Sequence, residues 1–204
     1  MSAQTNTITE TWDTAPNAPR APFGWNFNDL LMQFRFGQIS GWITYWQSAA
    51  QQYAMKPETI MAVDSRESGC YWKTRGPKVT GDHDKAIGLG QEHLEPGESV
   101  AQLEDPEFNI QETARRLSSD LIEIQSLLAS AKLSASPTAI EEMRYSAYNR
   151  GPHGIFSQWA KTGDASAGTE NGNYGKDCLA RETIFAYLLN HDAGPTPTGP
   201  NPGK

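Results

Sequence analysis

Residues 57–70 read PETIMAVDSRESGC, and this stretch predicts a helix with clearly marked ends. Its opening proline suits the first turn of a helix, where a missing N–H costs nothing, and the glycine near its end is a common stop signal. Ile60, Val63 and Glu67 then fall on one face of the helix. Because the apolar members of that face favour burial, the sequence predicts a carboxylate on a buried helical face.

Helical periods also dominate on both sides of this stretch. Residues 70–98 differ, because they are rich in glycine, charge and turn residues and leave room only for loops or short strands. The predicted fold class is therefore mainly α, with a short irregular or small β insert after the helix that carries Glu67. The other predicted helices are defined by Trp42, Trp46, Ala49 and Tyr53, by Asn109, Ala114, Leu117, Leu121, Ile124 and Leu128, by Ile140, Met143 and Ala147 between Ser136 and Gly151, and by Cys178, Arg181, Phe185 and Leu188.

The two ends of the chain are poor in apolar residues. Residues 1–22 are rich in Thr, Ala, Asn and Pro, and residues 192–204 are rich in Pro and Gly. Such segments bury too little apolar surface to order themselves, so we expect both to be disordered or loosely packed. Residues 23–191 are predicted to form one domain.

The bulk composition excludes several classes of protein. The chain has 204 residues, of which 37 % are hydrophobic, and a net charge of −7. That is enough for a core, but no apolar run approaches the ~18 residues of a membrane span. The acidic balance argues against non-specific nucleic-acid binding, which requires a basic face. The N-terminus lacks the basic and apolar regions of a secretory signal.

Cysteine and histidine usage predicts neither a metal site nor a cofactor. Cys70 and Cys178 are too few for a disulfide framework, and they form either a single bridge or two buried thiols. The histidines are scattered and lack the spacing of zinc ligands. They are His83, His93, His153 and His191.

The predicted burial of Glu67 has a chemical consequence. Desolvation disfavours the charged form of a carboxyl group and raises its pKa. A carboxylic acid that stays protonated near neutral pH can donate its proton to a leaving oxygen. The ordinary alternative is a glutamate at a helix end in a salt bridge with Arg66 or Arg75.

A second polar segment, GDHDKAIGLGQ at 81–91, adds Asp82 and Asp84. Either carboxylate could orient a water molecule, although Asp82 could equally cap the next element. Gly88 and Gly90 permit the close approach of a ligand or the tight packing of backbone.

A third segment, SAYNRGP at 146–152, places Tyr148 and Asn149 at a predicted helix end. A phenol and an amide suit sugar hydroxyls or an acetamido group. The alternative is a tyrosine of the core followed by an asparagine that caps the helix.

Four blocks, taken in order, resemble the goose-type lysozymes and the related soluble lytic transglycosylases over roughly residues 55–190. The pattern of this family is a Glu-Ser pair at a helix end, then Gly-Leu-x-Gln, then Asn-Ile at the start of a helix, and then Ala-Tyr-Asn before a glycine. The later segment NYGKDCLAR at 173–181 resembles that family's final helix. The four blocks are SRESGC at 65–70, GDHDKAIGLGQ at 81–91, NIQETARRL at 109–117 and SAYNRGP at 146–152.

The resemblance implies a lysozyme-like α fold with a sugar cleft between helical lobes. It also implies cleavage of the β-1,4 bond between N-acetylmuramic acid and N-acetylglucosamine in peptidoglycan. Glu67 would be the general acid, and Asp82, with Asp84 as a neighbouring candidate, would hold the attacking water. The residues that would bind the substrate are Ser68, Gln91, His93, Tyr148 and Asn149.

One position departs from the family. Goose-type enzymes often carry an aspartate two residues after the Gly-Leu-x-Gln glutamine, and here that position is His93, flanked by Glu92 and Glu95. The positioning of the attacking water would then depend on Asp82, Asp84 or a neighbouring residue. Otherwise the substrate's own hydroxyl or acetamido group would complete the reaction and give a 1,6-anhydro product. We favour inverting hydrolysis because the Gly-Asp pair is present, and a chitin-cleaving relative or a non-catalytic glycan-binding module remain alternatives.

The biological setting follows from the implied substrate. We expect a monomer that acts on peptidoglycan strands in the periplasm or outside the cell, with an immunity or inhibitor protein as a further partner. Release by lysis, as for a phage endolysin, and delivery by a secretion system, as for a toxin, fit the sequence equally, and a defence enzyme fits less well. Trp12 and Trp25 could stack on sugars, but we favour their anchoring the N-terminal segment to the body.

Overall fold

The structure is a computed structural model that describes residues 23–71, 80–81 and 86–191. Within these residues helices predominate, which confirms the prediction of a mainly α fold. None of these helices is long and apolar enough to cross a membrane. The α-helices are α1 (Phe27–Ile39), α2 (Trp42–Gln52), α3 (Pro57–Ser68), α4 (Val100–Leu103), α5 (Pro106–Ala131), α6 (Pro137–Arg150), α7 (Pro152–Thr162) and α8 (Tyr174–His191), with short 3₁₀ turns at Gly69–Tyr71, Ser166–Gly168 and Glu170–Gly172.

Local signals set the helix ends. Gly69 ends α3 in the left-handed conformation, with φ of 64°. The side chain of Asp105 accepts a hydrogen bond from the Phe108 N–H at the start of α5, over 3.0 Å. Ser136 caps α6 in the same way through the Ala139 N–H, over 3.1 Å. Helices α1 and α7, by contrast, were not predicted.

Helix α3 lies at the centre of the domain. It contacts α2 and α5 and packs most extensively against α8. Every residue from Thr59 to Ser65 is buried, so the helix is covered on all sides rather than on the one predicted face. A carboxylate on this helix therefore has neighbours on several other elements.

The predicted insert after α3 contains a small antiparallel sheet. Its strands are β1 (Thr80–Gly81), β2 (Ala86–Ile87) and β3 (Glu92–His93), in the order β1-β2-β3. Ile87 of β2 lies opposite Glu92 of β3, and Ala86 lies opposite His93. Side chains alternate between the two faces of a strand, so Glu92 points inward and is buried whereas His93 is exposed.

The N-terminal part of the described chain is anchored through Trp25, as predicted. Its indole Nε1 donates a hydrogen bond to Asp177 Oδ1 on α8 over 2.6 Å. The guanidinium of Arg181 lies 5.1 Å from the Trp25 ring centroid. Trp12 lies outside the described residues, as do segments 1–22 and 192–204, so the expected looseness of both ends stays a prediction.

The two cysteines are free buried thiols. Cys70 follows α3 and Cys178 lies on α8. Of the two alternatives that the sequence left open, the structure therefore shows the unbridged one. Burial raises the pKa of both thiols well above the usual value, so neither is a reactive thiolate.

Candidate active site

Glu67 lies in the last turn of α3, with its side chain partly buried. The hydroxyl of Tyr174 on α8 donates a short hydrogen bond to Glu67 Oε1. Burial raises the pKa of Glu67, and the Tyr174 hydrogen bond and the charges of Arg66 and Arg116 offset only part of that effect. The carboxyl group therefore favours its protonated form more than an exposed glutamate does.

The alternative of a structural salt bridge at Glu67 finds no support in the described residues. Arg66 pairs with Asp177 instead, with 3.1 Å between Nε and Oδ2. Among the described ion pairs, none involves Glu67. Arg75, the other candidate partner, lies outside the described residues.

A second carboxyl group on α3 lies one turn before Glu67. Asp64 is fully buried and accepts hydrogen bonds from Trp46 Nε1 over 2.7 Å and Thr113 Oγ1 over 3.3 Å. Burial raises the pKa of Asp64 to about 8. At neutral pH it is therefore mainly a neutral acid, which is how a buried carboxyl group without a cation avoids the cost of desolvated charge. Sequence reasoning missed Asp64, although its spacing of three from Glu67 was a usable signal.

The Gly-Leu-x-Gln and Asn-Ile blocks form one structural unit. Asn109 at the start of α5 accepts a hydrogen bond from the Gly90 N–H over 2.8 Å and donates to the carbonyls of Ile87 and Leu103, each over 3.0 Å. A Cβ at Gly88 would lie 2.0 Å from the Asn109 amide nitrogen. The two blocks therefore depend on each other sterically, which explains why they occur together.

Asp64, Glu67 and Glu92 act on one another electrostatically and are called the carboxyl cluster below. Gly90 brings backbone close to this cluster. A Cβ there would lie 2.0 Å from Thr113 Oγ1, 2.7 Å from the Tyr148 hydroxyl and 3.3 Å from Asp64 Oδ1. The Gly90 carbonyl accepts a hydrogen bond from Tyr148 over 2.7 Å. Of the two roles that the sequence left open for this glycine, the structure supports close backbone packing.

Glu92 is a third carboxyl group of the cluster, and sequence reasoning did not select it. Its side chain is buried, with 7 % of the residue exposed. Its Oε1 lies 2.6 Å from the Tyr148 hydroxyl and its Oε2 lies 3.3 Å from Arg116 Nη1. Burial raises the pKa of Glu92, and Arg116 opposes that effect. The strand alternation that buries Glu92 beside exposed His93 was the signal that could have found it.

Tyr148 lies between Glu92 and the Gly90 loop. The phenol has one hydrogen to donate, but it lies within hydrogen-bond distance of two acceptors, Gly90 O and Glu92 Oε1. Tyr148 can donate to only one of these acceptors at a time, so it links Glu92 to the loop that carries Gly90. Arg116 holds this arrangement, because its guanidinium lies 4.4 Å from the Tyr148 ring centroid and donates to the Tyr148 carbonyl over 2.7 Å.

Three of the predicted substrate-binding residues make local hydrogen bonds. Ser68 Oγ donates to the carbonyl of Asp64 on its own helix over 3.0 Å. Gln91 Nε2 donates to the carbonyl of Gly88 over 2.8 Å. Asn149 Oδ1 accepts from the Glu170 N–H over 3.1 Å. The structure therefore shows each of these side chains bonded to a backbone group, and their part in substrate binding stays a prediction.

The predicted water-positioning residues are not among those that the structure describes. Asp82 and Asp84 lie outside the described residues, between β1 and β2. Of the remaining predicted site residues, Tyr148 belongs to the cluster and His93 lies outside it. The structure thus adds Asp64 and Glu92 to the environment of Glu67, and the pKa of Asp64 is raised further by the charges of both glutamates.

A cavity of about 350 Å³ lies beside the cluster. Glu92 and Arg116 form part of its wall, and His93, the loop after β3, Leu103 of α4 and the middle of α5 complete it. Two residues are therefore common to the cluster and to the cavity.

No protein-family model matches the chain, and no curated protein matches it significantly. Within the described residues no group of three or more His, Cys, Asp or Glu side chains could hold a metal ion.

Proposed function

We propose that this protein is a peptidoglycan-cleaving glycosidase with a lysozyme-like fold, in which Glu67 is the general acid. The observation that carries the proposal is the state of Glu67, which lies at the end of the central helix without an ion pair among the described residues. A carboxyl group with a raised pKa can protonate the oxygen of a glycosidic bond near neutral pH.

The arrangement of the four sequence blocks supports this proposal. The block that ends α3 supplies Glu67, and the loop with Gly90 packs between that helix and Tyr148. Asn109 holds the loop from the far side. Three of the four blocks are thus in direct contact, and α3, which carries the fourth, lies against the Gly90 loop through Asp64.

The second half of the reaction is assigned to water. We propose inverting hydrolysis with Asp82, or its neighbour Asp84, holding the attacking water on the face of the sugar opposite Glu67. Glu92 is less suited to that role, because both of its oxygens already contact Tyr148 or Arg116. An alternative without activated water gives a 1,6-anhydro product.

The decisive test compares the wild type with Glu67→Gln on purified peptidoglycan. We expect the substitution to reduce muropeptide release by at least about a hundredfold, the usual contribution of a general acid. Glu107→Gln is the matched control, because Glu107 is an exposed glutamate in the first turn of α5. Equal release by Glu67→Gln and the wild type would refute the assignment.

Mass spectrometry of the released ends separates the remaining alternatives. A reducing N-acetylmuramic acid end indicates hydrolysis, whereas a product lighter by one water indicates the anhydro route. Faster cleavage of chitin oligomers than of peptidoglycan would favour a chitin-cleaving enzyme. Glycan binding without release by the wild type would favour a binding module.

A further inference from the structure

The cavity beside Glu92 and Arg116 has an acidic wall that the proposed reaction does not use. It lies between β3, the loop that follows, Leu103 of α4 and the middle of α5. Five carboxylates but only two guanidinium groups contribute to this wall. The carboxylates are those of Glu92, Glu95, Glu98, Glu112 and Asp120, and the guanidinium groups are those of Arg115 and Arg116.

Both arginines of the wall already have partners within it. Arg115 Nε lies 2.7 Å from Glu112 Oε2, and Arg116 Nη1 lies 3.3 Å from Glu92 Oε2. The three other carboxylates of the wall have no cation within ion-pair distance among the described residues. Of these, Glu98 accepts a hydrogen bond from the Glu95 N–H over 2.9 Å, which leaves its charge uncompensated.

Asp120 is the most unusual of these carboxylates. Only 8 % of the residue is exposed, and its Oδ2 has no hydrogen-bond partner in the described part of the chain. Burial raises the pKa of Asp120 to about 6, so it is mainly ionised at neutral pH. The charge of Arg116 stabilises the ionised form of Asp120 in part. A buried carboxylate oxygen without a hydrogen-bond partner still costs free energy, and such an atom in a native protein calls for an explanation.

We propose that this cavity binds a primary ammonium group of the wall substrate, with Asp120 as its main counter-charge. An ammonium group is compact, carries one positive charge and donates up to three hydrogen bonds, so it complements an uncompensated carboxylate. The hydroxyl-bearing Ser119 also lines the cavity and can accept one of these bonds.

The proposal rests on the proposed function, because the cavity and the carboxyl cluster share Glu92 and Arg116. A glycan strand with its scissile bond at Glu67 would bring its neighbouring groups to this wall. Peptidoglycan offers a primary ammonium from two sources, the free amine of a stem peptide and a glucosamine that has lost its acetyl group. The chemistry that recognises them is the same.

The test measures the binding of soluble peptidoglycan fragments with their amines free or chemically acetylated. Glu67→Gln serves as the parent, because it should bind fragments without cleaving them. We expect acetylation to weaken binding to the parent by about tenfold, the scale of one hydrogen bond to a charged group. Adding Asp120→Asn should weaken binding of the free-amine fragments similarly and abolish the response to acetylation.

Two further variants test whether the response to acetylation comes from this wall. Glu95→Gln, at an exposed position of the same wall, should reduce the response to acetylation without affecting folding. Glu107→Gln, on α5 outside the wall, should leave the response unchanged. Peptide-free strands, with and without deacetylated glucosamine, show which source of amine is bound.

An equal response to acetylation in the parent and in Asp120→Asn would overturn the proposal, as would equal binding of free-amine and acetylated fragments by the parent. These results would leave the Glu67 assignment intact. Conversely, full muropeptide release by Glu67→Gln would refute the general acid, and the response to acetylation would then be measured on fragments too short to be cleaved.

Discussion

Two opposing effects act on the carboxyl group of Glu67. Burial disfavours its charged form, whereas the hydrogen bond from Tyr174 stabilises that form. The first effect is larger, so the pKa lies above its usual value. Tyr174 therefore both orients the acid and limits how far its pKa can rise.

Removing the Tyr174 hydroxyl should separate these two roles. In Tyr174→Phe the carboxylate loses its donor, so the pKa of Glu67 should rise further. A general acid must be protonated, and the alkaline limb of the pH–activity profile should move to higher pH. We expect a lower maximal rate as well, because the acid is less well oriented.

The measurement is muropeptide release as a function of pH by the wild type and Tyr174→Phe. Tyr45→Phe, on the partly buried face of α2, is the control and should leave the profile unchanged. A shift of the alkaline limb to lower pH would contradict this account of Glu67.

At the scale of elements, the short sheet and the loop after it are held against α5 by one side chain. Asn109 satisfies three backbone groups of the segment between Ile87 and Leu103. Gly88 and Gly90 leave the space that this packing requires. The loop thereby brings Glu92 and the carbonyl of Gly90 to Tyr148.

Gly90→Ala tests this packing. The new methyl group would lie 2.0 Å from Thr113 Oγ1 in the present arrangement, so the loop must shift. We expect a loss of about 1–3 kcal/mol in the free energy of unfolding, the range for overpacking, together with reduced activity.

Gly154→Ala provides the matched control, because a Cβ at Gly154 in α7 would have no atom within 4 Å. Alanine is the better helix former, so this variant should be as stable as the wild type or up to about 1 kcal/mol more stable. Denaturant unfolding of both variants gives the comparison. Equal stability of the two would show that Gly90 is not sterically constrained.

At the scale of the whole molecule, the central position of α3 brings the carboxyl groups together. Asp64 and Glu67 come from this helix, and Glu92 comes from a strand beyond it. The cluster is surrounded by α2, α5, α6 and α8, so its members share one desolvated environment. Folding therefore changes their proton affinity, and stability must depend on pH.

Asp64→Asn should change that dependence. In the unfolded chain Asp64 releases its proton near the ordinary value of 3.8, whereas in the folded protein it retains the proton to about pH 8. Between these values the folded state binds the extra proton, so the free energy of unfolding falls as pH rises, by up to about 1.4 kcal/mol per pH unit. Asparagine cannot titrate, so it adds no pH dependence to the free energy of unfolding.

Urea unfolding at several pH values between 4 and 8 measures this effect. The stability of the wild type should fall more steeply with pH than that of Asp64→Asn, and Glu107→Gln should follow the wild type. Parallel curves for the wild type and Asp64→Asn would mean that Asp64 is ionised in the folded protein.

Local chemistry made a large part of this protein predictable from its sequence. Both ends of α3 and α6 and the start of α5 follow from proline, glycine and capping side chains, which act within a few residues. The burial of Glu67 follows from helical spacing, and the insert follows from its turn residues. Helix α1 was missed although Asn26 and Asp29 form a capping box, and α7 was missed because Gly151 was interpreted only as a stop signal.

The sequence by itself determined the mainly α fold, the helix ends and a carboxylate on a buried helical face. Only the tertiary structure decided that Tyr174 bonds to Glu67 and that Asp64 and Glu92 share its surroundings. It also decided that Asp120 has a carboxylate oxygen without a hydrogen-bond partner in the described part of the chain. The physical reason is the separation along the chain over which each effect acts. Helix signals act between near neighbours in the chain, whereas desolvation and charge depend on side chains that folding brings together from distant positions.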